Sequence, residues 1–259
     1  MKHIDINADT GESFGRWRIV DDNEVLSYVS SANIACGMHA GDPVVMDATA
    51  RACAERGVAI GAHPGFPDLQ GFGRRNMAMT PKEIEVFVAY QIGALKALAG
   101  SLGQRVVHVK PHGALYNMAA FDMDIAMAVA RGVARASYLG HDLILVGLAG
   151  SLSLDAADKV GLPKAREGFC DRAYHRDGSL VSRSESGSVL DDPKTVAARA
   201  VAMVQHQSVL SIEGVPVDIQ VDTICIHSDT TGAVEIAKAV RRALDNAKIT
   251  VGSLRAMAS

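Results

Sequence analysis

The chain has 259 residues, of which 48% are hydrophobic and 21% charged, with a formal net charge of -3. That length fills one complete core and suits a single (β/α) barrel, so one domain spanning 1–259 is expected. A mildly acidic balance and only 5% aromatic residues argue against nucleic-acid or anionic-membrane partners.

No stretch reaches the roughly 18 apolar residues a spanning helix requires. The start, Met1-Lys-His-Ile-Asp5, has no signal-peptide apolar region. Cys36, Cys53, Cys170 and Cys225 form no C-x-x-C pair, so reduced thiols in a cytoplasmic protein are the simplest expectation.

Seven strands are predicted in chain order: His3–Ala8, Ser31–Cys36, Val58–His63, Arg105–Lys110, Leu143–Leu148, Lys164–Phe169 and Asp222–His227. Several are nearly continuous aliphatic runs, as in strands covered on both faces. Helices fill the gaps between them. Asp42-Pro43 and Asp192-Pro193 each place a capping carboxylate before a proline at the first helical position. Thr80 and Glu83 have capping-box spacing, and Gly57, Gly103, Gly140 and Gly161 stand where helices should stop.

Two regions interrupt the alternation. Cys170–Leu190 contains a tight-turn signal at Asp177-Gly178, and Gln207–Gln220 turns at Glu213-Gly214 like a hairpin. The expected fold is α/β, a distorted or incomplete barrel of about seven strands.

Five of the predicted strands break into polar residues beside Gly or Pro, as they do where a barrel's active site gathers at carboxyl ends. Asp5, Asn7 and Asp9 alternate, so they share one face of the first strand, with Glu12 just beyond. One buried carboxylate is commonly structural; several together cost several kcal/mol unless ligands or partners compensate. His39 lies between Gly37 and Gly41, and His63 precedes Pro64-Gly65. A lone buried histidine is more often a core residue, but two in equivalent positions point to a site.

Arg74 and Arg75 occupy a Gly-rich loop suited to gripping an anion, with a solvated surface loop as the alternative. Lys110 ends the Val-Val-His-Val strand, where a charge is expensive without a purpose, and His112 and Tyr116 follow closely. Glu167 lies inside the sixth strand, and Asp171, Arg172 and Tyr174 follow it. His227 and Asp229 end the last, Asp229 having helix capping as its competing role. No G-x-S-x-G, H-E-x-x-H or G-x-x-x-x-G-K-[ST] motif occurs.

Taken together, Asn7-Ala-Asp-Thr-Gly-Glu-Ser-Phe-Gly15, Ser31 to Pro43, Gly61-Ala-His-Pro-Gly-Phe-Pro-Asp68, Gly71-Phe-Gly-Arg-Arg75, Tyr90 to Leu95, Val109-Lys-Pro-His-Gly-Ala-Leu-Tyr-Asn117 and Phe169 to Tyr174 resemble the LamB/YcsF family. The resemblance covers the chain almost end to end. It implies a barrel like those of glycoside hydrolases and deacetylases. It also implies ATP-dependent hydrolysis of 5-oxoproline to L-glutamate together with two partner subunits.

On that reading Arg74 or Arg75, with Arg172, would bind the substrate carboxylate. Lys110 would stabilise developing oxygen charge, and Asp9, Glu12 or His112 would position and deprotonate water. Asn7, His39, His63, Tyr116, His227 and Asp229 complete the expected substrate contacts. ATP handling would lie partly on the partners, since this chain has no nucleotide-binding signature. Two rival readings stand beside it: a metal-dependent deacetylase or amidohydrolase using Asp9, His39 and His63, and a non-catalytic binding subunit.

Overall fold

The computed structural model describes residues 2–18, 22–137, 142–183, 185–227 and 232–257. Its elements run β1 (His3–Thr10), α1 (Asp22–Val25), β2 (Ser31–Ala35), α2 (Pro43–Arg56), β3 (Ala59–His63), α3 (Pro81–Ser101), β4 (Val106–Val109), α4 (Gly113–Phe121), α5 (Met123–Ala136) and β5 (Ile144–Leu148). Then follow α6 (Leu152–Val160), β6 (Lys164–Phe169), α7 (Pro193–His206), β7 (Ser208–Leu210), β8 (Pro216–Asp218), β9 (Thr223–Ile226), α8 (Ala233–Asn246), β10 (Thr250–Val251) and α9 (Leu254–Met257).

Strands β1, β2, β3, β4, β5, β6 and β9 pair in that order, all parallel, and β9 returns to β1. The result is a closed seven-stranded barrel, with the short β10 added to the start of β1. The hairpin expected between Gln207 and Gln220 is present as antiparallel β7 and β8. The 170–190 region turns at Asp177-Gly178 as expected, Gly178 taking a φ of 83° and its N–H meeting the His175 oxygen at 3.0 Å. Bridges of Arg172 with Val189 and Tyr174 with Leu180, and backbone bonds such as that from Val181 N–H to the Ala173 oxygen, tie it together over buried Tyr174 and Val181.

Local chemistry explains the helix boundaries. Asp42 accepts from the backbone N–H groups of Val44 and Val45, and Asp192 from that of Thr195. Thr80 and Glu83 form the reciprocal capping box that opens α3. Gly57 and Gly161 close α2 and α6 in the left-handed conformation, which costs glycine little. Gly140 lies outside the described residues.

Period-two alternation divides β1 between two environments. Ile4, Ile6 and Ala8 are fully buried against the surrounding helices, while Asp5, Asn7 and Asp9 point into the barrel. Helix α3 buries Ile84, Val88, Ile92, Leu95 and Ala99 at helical spacing, and α8 buries Ile236, Val240 and Leu244. Each such aliphatic side chain contributes roughly 1.5–3 kcal/mol. The shell holds the barrel closed, which leaves its interior available for polar residues. No helix among the described residues is long and apolar enough to cross a membrane.

Candidate active site

Strand register builds the floor of the site. Asp9 lies beside Asn33, Asn33 beside Gly61, and Gly61 beside His108. Gly61 is required there, because a Cβ at that position would overlap the His108 ring. The imidazole therefore reaches across the barrel and donates to Asn33 Oδ1 at 2.7 Å.

Asn33 in turn donates to Asn7 Oδ1 at 2.7 Å and to Asp9 Oδ1 at 2.8 Å. Asn7 donates to Glu167 Oε1 at 3.0 Å and Thr223 Oγ1 at 2.7 Å, and Thr223 donates to Asp5. Asp5 also accepts from Ser30 and Ser31. Burial pushes its carboxyl up to about 6, against the downward pull of those hydroxyls. Asp5 is thus the structural member of the β1 series.

Lys110 sits at the centre of this lattice. Its ammonium lies 2.9 Å from Asp9 Oδ1, 2.9 Å from Glu167 Oε1 and 3.0 Å from Cys225 Sγ. With Asn7 Oδ1 at 3.4 Å, four acceptors surround three N–H groups, so none remains for a substrate oxygen unless a partner yields. Burial opposes the charge on Lys110, yet Asp9, Cys225 and Glu167 outweigh it and hold the amine protonated. For Asp9 burial also acts against the ion, but His63 and Lys110 bring its pKa well below the usual carboxylate range. Tyr116 donates to Glu167 Oε2 at 2.7 Å, so burial and that neighbour raise the phenol's pKa well above normal.

A second cluster adjoins the lattice. His39 and His112 stack face to face at 3.7 Å, with His63 edge-on to both. Gly65 and Gly73 make room, since a Cβ on either would fall 2.7 Å from a His39 atom. Glu12 Oε1 lies 3.3 Å from both His39 Nε2 and His112 Nδ1. Burial alone would raise its pKa, but those two rings lower it and keep Glu12 ionised. Burial and the proximity of His112 lower His39 to about 3, so it is neutral.

Donor atoms of Glu12, His39, His63 and His112 all fall within 4.8 Å of one another, a buried His/Glu cluster that could hold a metal ion. Asp9, proposed from the sequence as a ligand beside His39 and His63, falls in a second such group with Cys225 and His227, and its Oδ2 lies 3.4 Å from His63 Nε2. Its Oδ1 accepts from Asn33 and Lys110, and Glu12 and His112 join His39 and His63 in the first group.

Above both clusters opens a cavity of about 460 Å³, within the range of small-molecule sites. Asp9, His63, Lys110, His112, Tyr116 and His227 reach it from below. His227 receives a carboxylate's support: Asp171 Oδ2 accepts from its Nδ1 at 2.8 Å and from its backbone N–H at 3.0 Å. A carboxylate can only accept, so Nδ1 carries the proton and Nε2 keeps its lone pair. Phe169 stacks on the same ring at 5.4 Å. Burial acts to raise the pKa of Asp171, and His227 more than reverses this.

Arg74, Arg172 and Arg183 line the mouth. Arg172 is already bonded to the backbone oxygens of Ser188 and Val181, bracing the 170–190 excursion. Arg75 does not reach the cavity: its guanidinium is salt-bridged to Asp68 at the surface. Asp229 lies outside the described residues.

Asn33, His108 and Arg183 were not singled out from sequence. Asn33 and His108 carried a usable signal, polar side chains at inward-facing positions of apolar strands. Arg183, on an irregular loop, carried none.

A model of the LamB/YcsF family matches residues 4–259. The chain belongs to the LamB/YcsF family. A relative from Chloroflexus aggregans, named as a 5-oxoprolinase subunit, is 52% identical over 98% of this chain and 100% of its own length. One of the same name from Pyrococcus horikoshii is 47% identical over 96% of each chain. The crystal structure of a lactam utilization protein from Thermus thermophilus superposes with a TM-score of 0.92 at 45% identity, covering 98% of this chain and all of that one. A T48 deacetylase, 14% identical over 98% of this chain and 89% of its own with a TM-score of 0.50, shares the fold alone. The expected seven-stranded barrel is therefore the one observed, in this family and in the deacetylase-like fold.

Proposed function

We propose that this LamB/YcsF chain opens the lactam ring of 5-oxoproline, as the hydrolytic component of an ATP-dependent 5-oxoprolinase that also contains two partner subunits. One observation carries the reading. An ionised carboxylate, Asp9, and an Asp171-supported imidazole with a free lone pair, His227, reach the same cavity beneath a basic mouth. That combination suits a small anionic amide. The names of the relatives, 5-oxoprolinase subunit and lactam utilization protein, support the same substrate class.

A five-membered lactam is resonance-stabilised and little strained, so ring opening needs an energy input. Transfer of the γ-phosphoryl group of ATP to the lactam oxygen supplies it, leaving ADP and an activated C–O–P carbon. Water then bonds to that carbon, the C–N bond breaks, and the nitrogen leaves as the protonated α-amine. A second water releases inorganic phosphate from the resulting acyl phosphate, giving glutamate.

In this scheme His227 Nε2 takes the proton of the attacking water, Asp171 stabilises the imidazolium that forms, and Arg74 and Arg183 hold the carboxylate. Lys110 acts through Asp9, keeping it ionised and aimed at the cavity, where it accepts from the attacking water and orients it toward the lactam carbon. A metal held by the His/Glu cluster would add Lewis-acid polarisation beside the substrate. The test is reconstitution: purified partners should convert 5-oxoproline and ATP to glutamate only when this chain is added. Undiminished turnover without it would assign the chemistry to the partners and leave this chain with a binding role.

A further inference from the structure

The histidine cluster has a defect in its hydrogen bonding. His63 Nδ1 lies 2.6 Å from the backbone oxygen of Lys110, and His112 Nε2 lies 2.8 Å from that of Phe72. A carbonyl oxygen only accepts, so each of those nitrogens carries its ring's proton. The opposite nitrogens, His63 Nε2 and His112 Nδ1, are then lone-pair sites, and they face each other at 3.0 Å. Glu12 Oε1, another acceptor, lies 3.3 Å from His112 Nδ1. Acceptors meeting acceptors in a buried pocket require a cation or an extra proton between them.

Spacing bears on both options: the 3.0 Å between His63 Nε2 and His112 Nδ1 suits a shared proton, whereas the contacts of Glu12 suit an ion. A charge-assisted N–H···O contact from an imidazolium shortens to about 2.7–2.9 Å. The contacts of Glu12 Oε1 with His39 Nε2 and His112 Nδ1 are both 3.3 Å. A tetrahedral ion with bonds of about 2.0–2.1 Å sets its ligands about 3.3–3.4 Å apart. Backbone carbonyls fixing the far nitrogens of two histidines are also the usual outer support of metal-binding imidazoles. His39 adds a further buried nitrogen, Nδ1, with no hydrogen-bond partner.

We propose that Glu12, His39, His63 and His112 bind one divalent ion of the zinc class, with Asp9 Oδ2 beside it at 3.4 Å from His63 Nε2. Three imidazole nitrogens and one carboxylate form a borderline donor set that favours zinc, cobalt or nickel over magnesium or calcium. The proposal holds whether or not the substrate is 5-oxoproline, and its test needs neither substrate nor partner subunits.

The whole chain, stripped with a chelator and dialysed, is titrated with zinc against a chromophoric competitor, and separately with cobalt. One zinc per chain is expected, with a visible cobalt band of tetrahedral type. Glu12→Gln and His112→Gln should each weaken binding by roughly 100-fold or more, given that even outer-shell changes cost 10–100-fold. Arg74→Ala should leave binding unchanged. Far-UV circular dichroism of each variant separates lost ligands from lost fold. Because a variant can misfold, nitrogen-15 spectra of the unaltered chain add a second readout: zinc should shift His63 Nε2 and His112 Nδ1 while their partner nitrogens stay protonated. Absence of zinc binding, binding indifferent to both variants, or an imidazolium at His63 or His112 in zinc-treated protein would overturn the proposal.

Discussion

Two polar clusters share the barrel's carboxyl rim, and they are finished to different degrees. Around Lys110, each donor has an acceptor: the ammonium meets Asp9, Glu167 and Cys225, and Asn33 and Asn7 relay hydrogen bonds between strands. Around His63 and His112, acceptors face one another. Apart from His108 Nδ1, which has no hydrogen-bond partner, the first cluster satisfies its polar groups within the protein. The second requires something from outside, which is how a binding site differs from a structural network of similar composition.

The largest effect should come from breaking the finished cluster. Lys110→Met leaves Asp9 and Glu167 as buried carboxylates without their cation. Loss of one partner in such a pair costs about 3–5 kcal/mol. Thermal unfolding should therefore shift strongly downward, and turnover of 5-oxoproline by the reconstituted enzyme should vanish. A chain of normal stability would show that the ammonium is dispensable.

Next comes His227, the proposed general base. His227→Gln removes the lone pair supported by Asp171, and loss of general-base catalysis typically costs about 10²–10⁴-fold. The fall should appear in kcat, and the limb of the pH–rate profile belonging to the base should disappear. A fall confined to KM would make His227 a binding residue instead.

A smaller effect separates neighbouring arginines. Arg74 lines the cavity and Arg75 is paired with Asp68 at the surface. A hydrogen bond to a charged group is worth about 1.5–3 kcal/mol, so Arg74→Ala should raise KM for 5-oxoproline by about 10- to 100-fold. Arg75→Ala should leave it nearly unmoved, and equal effects would contradict the assignment.

The smallest effect is a pH dependence of stability. Burial, with Lys110 nearby, lowers His108 from 6.5 to about 3. The unfolded chain takes up that proton first, so this contribution is complete above pH 6.5 and is lost as the pH falls toward 3. Asp5, raised from 3.8 to about 6, acts oppositely: its contribution is present below pH 3.8 and lost as the pH rises through 6. His108→Gln should flatten the acid-side loss of melting temperature between these limits. An unchanged slope would show that His108 is not the group responsible.

Much of this architecture was legible in the sequence because its signals are local. Aliphatic runs located seven barrel strands, and Asp42, Thr80 and Asp192 marked helix starts through hydrogen bonds to their own next turn. The polar strand ends also identified Asp9, His39, His63, Lys110 and His112 as neighbours-to-be. Pairwise geometry was not legible. Finding Glu12 between His39 and His112 depends on where a loop places a side chain after β1. The split between Arg74 and Arg75 depends on Asp68 capturing one of them. Asn33 and His108 matter through a cross-strand register that spacing within a strand does not reveal.

The account's central claim is that lactam opening occurs in this chain's cavity, and Asp9→Asn tests it most directly. The change keeps the side chain's shape, leaves Glu167 to hold Lys110, and removes one charge facing the cavity. Glutamate formation from 5-oxoproline and ATP would be measured in the reconstituted enzyme, with assembly of the complex checked by size-exclusion chromatography. The predicted result is an intact complex whose glutamate production falls by orders of magnitude. Undiminished production from an intact complex would contradict the claim and move the chemistry to one of the partners.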